Sequence, residues 1–114
     1  TDAPLSDRNL RRLAERCFGG LARTGAALSN GSGDYALAFS THADVRRTPE
    51  RRRACLPIPD LPNDLVSPLF EAAIEATEEA ILNSLCMATD LAGFDAAKGR
   101  PSKVAALPLC RLPR

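Results

Sequence analysis

The chain has 114 residues, and its 15 lysines and arginines balance 14 aspartates and glutamates, so it fits one small domain with a net charge of +1. With 45% apolar and 25% charged residues, it has the composition of a folded globular protein, which excludes collagen-like and disordered chains. No apolar run approaches the roughly 18 residues of a membrane span, and 4% aromatic residues offer few platforms for base stacking. We therefore expect neither a membrane nor a nucleic acid as a partner.

The first predicted element is an amphipathic helix. Ser6 is a preferred N-cap residue, apolar residues then recur at steps of three and four up to Ala22, and Gly25 is the predicted stop. A polar, glycine-rich turn follows at 28–34. Residues 35–39 are apolar at every position, which is typical of a strand covered on both faces.

After the strand, the pattern predicts a loop and a second helix. Residues 42–64 contain an arginine-rich stretch, from Arg46 to Arg53, and then three prolines, so we expect a solvent-exposed excursion. Residues 64–89 carry a broad apolar stripe with many alanines, which indicates a long helix packed closely against a neighbour, and Gly93 is predicted to close it.

The predicted order is therefore helix, strand, helix, and each helix needs a sheet to cover its apolar face. One strand cannot form a sheet. The sequence thus predicts an α/β fold in which this chain is one part of a larger structure, with the other strands upstream or on another polypeptide. In the tail, only a short turn at 104–109 is expected.

The cysteines are widely spaced and form none of the short pairs that a zinc site or a redox centre needs; they are Cys17, Cys55, Cys86 and Cys110. We expect no metal and no cofactor. Cys17 and Cys86 fall within apolar helical stripes and are predicted to be buried. A reducing, cytoplasmic location follows, while disulfides, and a periplasmic location if a signal segment precedes the chain, stay open.

The candidate site is the polar turn Asn30-Gly31-Ser32-Gly33-Asp34. Its surroundings fit neither a phosphate-binding loop, nor a calcium loop, nor a hydrolase elbow. In an extended segment Ser32 and Asp34 project to the same side, so a hydroxyl and a carboxylate can converge on one point. A simple Asx-type turn that starts the strand is the alternative, and spacing alone favours it.

Several sequence blocks resemble the smaller subunit of the L-aminopeptidase/D-esterase and β-peptidyl aminopeptidase family. They occur in the family's order: Thr1-Asp2-Ala3-Pro4-Leu5, Gly20-Leu21-Ala22-Arg23-Thr24-Gly25, Asn30-Gly31-Ser32-Gly33-Asp34, Leu37-Ala38-Phe39-Ser40-Thr41 and Glu71-Ala72-Ala73-Ile74-Glu75-Ala76-Thr77-Glu78-Glu79-Ala80-Ile81. The resemblance implies an αββα four-layer sandwich, related to ornithine acetyltransferase, in which residues 1–114 are the β-subunit portion of a single domain completed by a larger α-chain. It also implies a precursor that cleaves itself, and higher oligomers of αβ units.

The same resemblance implies the chemistry. Self-cleavage exposes a serine or threonine as the first residue of the β-chain, whose hydroxyl is the nucleophile and whose α-amine serves as base. Ser32 is implied to hydrogen-bond to the nucleophile and Asp34 to orient Ser32 and the amine, within a turn supported by Asn30, Gly31 and Gly33. The implied reaction is the release of N-terminal residues from peptides, amides or esters through an acyl-enzyme.

The sequence departs from the family at both ends. In the family an apolar strand leads from the nucleophile to the Thr-Asp-Ala-Pro block, whereas this sequence opens at that block. The first strand and the nucleophile are therefore expected upstream, and the chain alone is expected to be inactive. Thr1 is the alternative nucleophile, disfavoured because no apolar strand follows it. Cys110 and Pro113 stand where family members continue a polar helical end.

Two other hypotheses stay open. The stretch from Arg46 to Arg53 holds five arginines among eight residues, so a non-catalytic binding module could use this basic loop. Pro49 and Glu50 interrupt it, however, and a solvated loop is favoured. An inactive family member that serves in assembly is the other hypothesis. His42, the single histidine, is interpreted as an ordinary loop residue.

Overall fold

A computed structural model describes residues 1–108 of the chain. The elements are α1 (Asp7–Arg23), short 3-10 helices at Arg51–Arg53 and Asn63–Leu65, α2 (Ser67–Cys86), β1 (Leu91–Asp95) and β2 (Arg100–Val104). They fall into two compact units. The first is Thr1–Glu78, and the second begins at Glu79 with the last turns of α2 and contains the two strands.

α1 is bounded as the sequence predicts. Ser6 caps its N-terminus, where the side-chain oxygen accepts a hydrogen bond from the Asn9 amide at 3.4 Å. At the other end the Gly25 amide donates to the Ala22 carbonyl, and Gly25 has a φ of +93°, a conformation that favours glycine. Both ends of the helix are therefore fixed by local chemistry.

The core of the first unit lies where α1 packs on the start of α2. Its buried apolar residues are Leu5, Leu13, Val66 and Phe70. The guanidinium carbons of Arg12 and Arg16 lie 4.9 and 4.5 Å from the centroid of the Phe70 ring. Two cation–π contacts therefore accompany the apolar packing of this ring.

α2 differs from its predicted bounds at both ends. It begins at Ser67 rather than at 64, because Pro68 suits the first helical turn and a 3-10 turn precedes it. It ends at Cys86 rather than at 89. Cys86 is exposed, so the prediction that it is buried was wrong, and Cys17 is half-buried. The buried residue of α2 is Phe70, near the start of the helix, and the apolar stripe is not covered as far as Cys86.

The two helices approach closely at Gly20. A Cβ atom at this position would lie 2.5 Å from the carbonyl oxygen of Ile74 and 2.7 Å from Cβ of Thr77. At the neighbouring Gly19, a Cβ would meet only the side chain of Ile74, at 3.4 Å. Gly20 is therefore the residue that allows the helices to touch.

Residues 35–39 form no regular strand in the described part of the chain, which corrects the prediction. The side chains alternate: Tyr35, Leu37 and Phe39 are 95%, 89% and 65% exposed, whereas Ala38 packs against the core. One face of the segment is therefore covered and the other is open. A strand needs a hydrogen-bonded neighbour along its length, and this segment has one only at its end.

That neighbour is the N-terminal residue. The Thr1 amine donates to the Phe39 carbonyl at 3.3 Å, and the Thr41 amide donates to the Thr1 carbonyl at 2.9 Å. This is the hydrogen-bond pattern of a parallel bridge between Thr1 and Ser40. Thr1 and the segment that ends at Thr41 therefore run in the same direction.

The second unit contains a β-hairpin that the sequence pattern did not predict. β1 pairs antiparallel with β2, with Leu91 opposite Val104 and Asp95 opposite Arg100. Gly93 lies in the middle of β1, so it does not close α2, and 104 ends a strand rather than beginning a turn. Both strands are short and exposed, so they lack the alternating pattern that predicts a strand. The remaining tail predictions, on Cys110 and Pro113, lie outside the described residues.

The excursion over 42–64 is largely exposed, as predicted, but Asp60 ties its end to α1. The Asp60 carboxylate accepts from the amide and hydroxyl of Ser6, both at 2.8 Å, and from the buried Asn9 amide group at 2.9 and 3.0 Å. Burial opposes ionisation, but the hydrogen bonds from Ser6 and Asn9 and the charge of Arg8 outweigh it and hold the pKa of Asp60 below its usual value.

Candidate functional site

The turn before the extended segment is shaped by its glycine. The Ser32 amide donates to the Ser29 carbonyl at 2.9 Å, which closes a four-residue turn. Gly31 is the third residue of that turn and has a φ of +96°, as the third position of a type II turn requires. The backbone therefore delivers Ser32 immediately after a tight reversal.

The turn brings Ser32 and Asp34 together. The Ser32 hydroxyl donates a hydrogen bond to Oδ2 of Asp34, and both residues are exposed. The hydroxyl keeps its acceptor lone pairs, so it can accept a hydrogen bond from a further group while the carboxylate fixes its orientation. The geometry can therefore form a relay, and the catalytic roles of Ser32 and Asp34 stay a prediction.

The other turn residues support this geometry through the backbone. Asn30 and Gly33 are exposed, and a Cβ at Gly33 would meet only the ring of Tyr35, at 3.9 Å. Among the residues that the structure describes, the Asn30 side chain makes no hydrogen bond. The turn thus places only two functional side chains, those of Ser32 and Asp34, near each other.

Thr1, the alternative nucleophile, lies elsewhere. Its amine is bound to Phe39 and its hydroxyl oxygen accepts the Ala3 amide at 3.1 Å. The backbone partners of Thr1 are Phe39 and Thr41, and no hydrogen bond among the described residues joins Thr1 to Ser32. The structure therefore does not bring Thr1 and Ser32 into one site.

His42 makes only a local contact in its loop among the described residues. The imidazole Nδ1 of His42 accepts the Asp44 amide at 3.2 Å, a local loop contact. Over residues 1–108, no three His, Cys, Asp or Glu side chains cluster as metal ligands. Nor does any helix in that range combine the length and apolar character needed to cross a bilayer.

The pairing of Thr1 with residues 39–41 was not predicted, because no local signal links positions 38 residues apart.

Solved structures share this backbone. The PH0078 protein from Pyrococcus horikoshii OT3 is 45% identical with a TM-score of 0.78, over 95% of this chain and 28% of that one. The L-aminopeptidase D-Ala-esterase/amidase from Ochrobactrum anthropi, a prototype serine aminopeptidase with a variant Ntn-hydrolase fold, is 31% identical with a TM-score of 0.76, over 93% and 28% of the two chains. A beta-aminopeptidase from Burkholderia sp. is 35% identical with a TM-score of 0.73, over 96% and 30%. The predicted α/β class, as part of a larger sandwich, is confirmed.

Sequence comparison specifies the family. The chain is 46% identical over 96 residues to the beta-peptidyl aminopeptidase BapA of Sphingosinicella microcystinivorans, covering 83% of this chain and 24% of that protein. It is 35% identical over 117 residues to BapA of Sphingosinicella xenopeptidilytica, covering 100% and 29%. The model of Peptidase family S58 matches residues 1–99. The chain belongs to peptidase family S58, which confirms the resemblance found in the sequence. It spans about a quarter of the length of the curated relatives that it matches.

Proposed function

We propose that this chain acts as the smaller chain of a self-processing serine-type aminopeptidase or amidase. Its proposed substrates are peptides, amino-acid amides or esters, from which N-terminal residues are released through an acyl-enzyme. A larger chain from the same precursor is the proposed partner, and oligomers of the paired chains are the proposed assembly. Membership of peptidase family S58 and similarity to aminopeptidases support this function over a non-catalytic binding module that uses the basic loop.

The observation that carries the proposal is the Ser32 to Asp34 hydrogen bond at the head of an extended segment. The Thr1 and Ser40 bridge sets a parallel register along that segment. A strand that leads into Thr1 in the same register would lie parallel to residues 32–39. Because Ser32 lies eight residues before Ser40, the residue about eight positions before Thr1 would lie opposite Ser32. A nucleophile at the start of that strand would therefore meet the Ser32 hydroxyl.

The proposed chemistry follows from these groups. An N-terminal serine or threonine hydroxyl attacks the substrate carbonyl, and its own α-amine, with a pKa near 8, accepts the hydroxyl proton. That proton passes to the departing amine or alcohol, and water then releases the acyl group. Ser32 would bridge the amine and Asp34, so that the carboxylate stabilises the protonated amine.

The first experiment is intact mass spectrometry under denaturing conditions on the product of the complete gene. Two chains are expected, the smaller one extended upstream of Thr1 by about one strand and starting with a free serine or threonine. A single uncut chain would contradict self-processing. The mass of the smaller chain also decides the role of Thr1, since a chain that starts at Thr1 would contradict the upstream nucleophile.

The second experiment tests the relay in the complete protein. Ser32→Ala and Asp34→Ala should each slow processing or peptide turnover by about 10²-fold or more, the usual contribution of a positioned proton-transfer group. Ser29→Ala is the matched control, because only the backbone carbonyl of Ser29 is used in the turn. Wild-type rates in both test variants would refute the assignment. The cytoplasmic location stays a prediction.

A further inference from the structure

An open groove of about 630 Å³ lies beside the extended segment in the first unit. Its apolar lining includes Leu10, Ala38 and Phe39, and its basic lining consists of Arg46, Arg47 and Arg52. Phe39 is 65% exposed and all three arginines are exposed. The groove therefore combines an apolar surface with three positive charges.

The positive charge of the groove is not balanced within the described part of the chain. No carboxylate of residues 1–108 lies within 4.0 Å of the three guanidinium groups. Glu50, the acidic residue between Arg46 and Arg53, makes no salt bridge with them, and hydrogen bonding to its own backbone and to Thr48 lowers the pKa of its carboxyl group. Arg51, which does not line the groove, instead donates to the Asp44 carbonyl.

We infer that the groove binds an acidic segment of the larger chain, with one apolar side chain on Phe39 and at least two carboxylates facing the arginines. This inference rests on the proposed function, which supplies the larger chain. Two observations identify the occupant. Its charge must complement three arginines, and about three-quarters of the length of the curated relatives lies outside this chain.

The apolar surface of the groove argues against a ligand that binds through charge alone. A nucleic acid would place phosphates on the arginines but would leave the surface of Leu10 and Ala38 without an apolar partner. A peptide can satisfy both surfaces, since its carboxylates bind the rim and its apolar side chain covers the aromatic ring. The occupant is therefore expected to be acidic and amphipathic.

The test is site-specific photo-cross-linking in the product of the complete gene. Pro49 lines the groove and is exposed, so p-benzoylphenylalanine is introduced there and the cross-linked peptide is sequenced by mass spectrometry. The expected result is a peptide of the larger chain that contains two or more aspartates or glutamates. Its yield should fall about three- to tenfold in a double variant, Arg46→Glu with Arg47→Glu, because charge reversal repels the carboxylates.

Arg53→Glu is the matched control, because Arg53 lies on the same loop but does not line the groove. The cross-link yield should stay unchanged in this variant. A cross-link to a second copy of this chain, to this chain itself, to a nucleic acid or to a non-acidic peptide would overturn the inference, as would equal yields in the double variant and the control. The intact masses of the two chains test the proposed function separately, so either proposal can fail while the other stands.

Discussion

Replacing Gly20 with alanine should force α1 and α2 apart. The new Cβ would lie 2.5 Å from the Ile74 carbonyl oxygen and 3.1 Å from the Glu78 amide nitrogen, both of which belong to the backbone of α2. Non-bonded contacts are most favourable at about 3.5 Å or more, so the helices must separate locally by about 1 Å. Overpacking of this kind costs about 1–3 kcal/mol, whereas alanine gains about 0.5–1 kcal/mol over glycine inside a helix. These two terms leave a net loss of up to about 2.5 kcal/mol in the free energy of unfolding, and we expect a loss of about 1 kcal/mol.

Gly19→Ala is the matched control for this substitution. Its Cβ would meet the flexible Cγ1 of Ile74 at 3.4 Å, a contact that a small side-chain movement relieves. It should therefore leave the stability unchanged or raise it by up to about 1 kcal/mol. Urea unfolding of the complete protein, followed by circular dichroism, measures both variants against the wild type. Equal stability of the Gly20 and Gly19 variants would refute the close helix contact.

Three further predictions concern acidic residues. Asp60→Ala should cost about 1–3 kcal/mol in unfolding free energy, because the buried Asn9 amide group loses its acceptor; urea unfolding at neutral pH measures the loss. The pKa of Asp60 is lower in the folded protein than in the unfolded chain, so its ionised carboxylate stabilises the fold fully above the ordinary aspartate range. This stabilisation disappears as the pH falls through the native pKa. Between pH 7 and pH 3, the free energy of unfolding should therefore fall less in Asp60→Ala than in the wild type. Asp90 accepts from Lys103 at 2.7 Å and from the Ala106 amide at 2.9 Å, so Asp90→Ala should speed hydrogen exchange in the hairpin and leave exchange in α1 unchanged.

The helices could be predicted because their signals are local. The Ser6 cap, the repeat of apolar residues and the Gly25 stop all lie within or next to α1, and the structure keeps them. The convergence of Ser32 and Asp34 followed from the two-residue period of an extended chain. The catalytic roles predicted for these two residues came from the family resemblance, because a simple turn without catalytic function would have the same spacing.

The elements that escaped prediction depend on distant partners. Asp60 meets Ser6 across 54 residues, and Thr1 meets Phe39 across 38 residues, so no window of sequence contains both partners. The hairpin was missed because Gly93 resembles a helix stop. Its strands are exposed in this chain, so burial gives them no regular pattern.

The open face of residues 35–39 has a consequence for how the chain must be produced. An extended segment with unpaired backbone and large exposed apolar side chains is a template for association between copies, and Tyr35, Leu37 and Phe39 provide such a surface. Expressed by itself, the chain should therefore aggregate. Under the proposed function, a precursor that folds before it is cut would cover this segment from the start. Self-cleavage would then separate two chains whose apolar surfaces are already buried against each other.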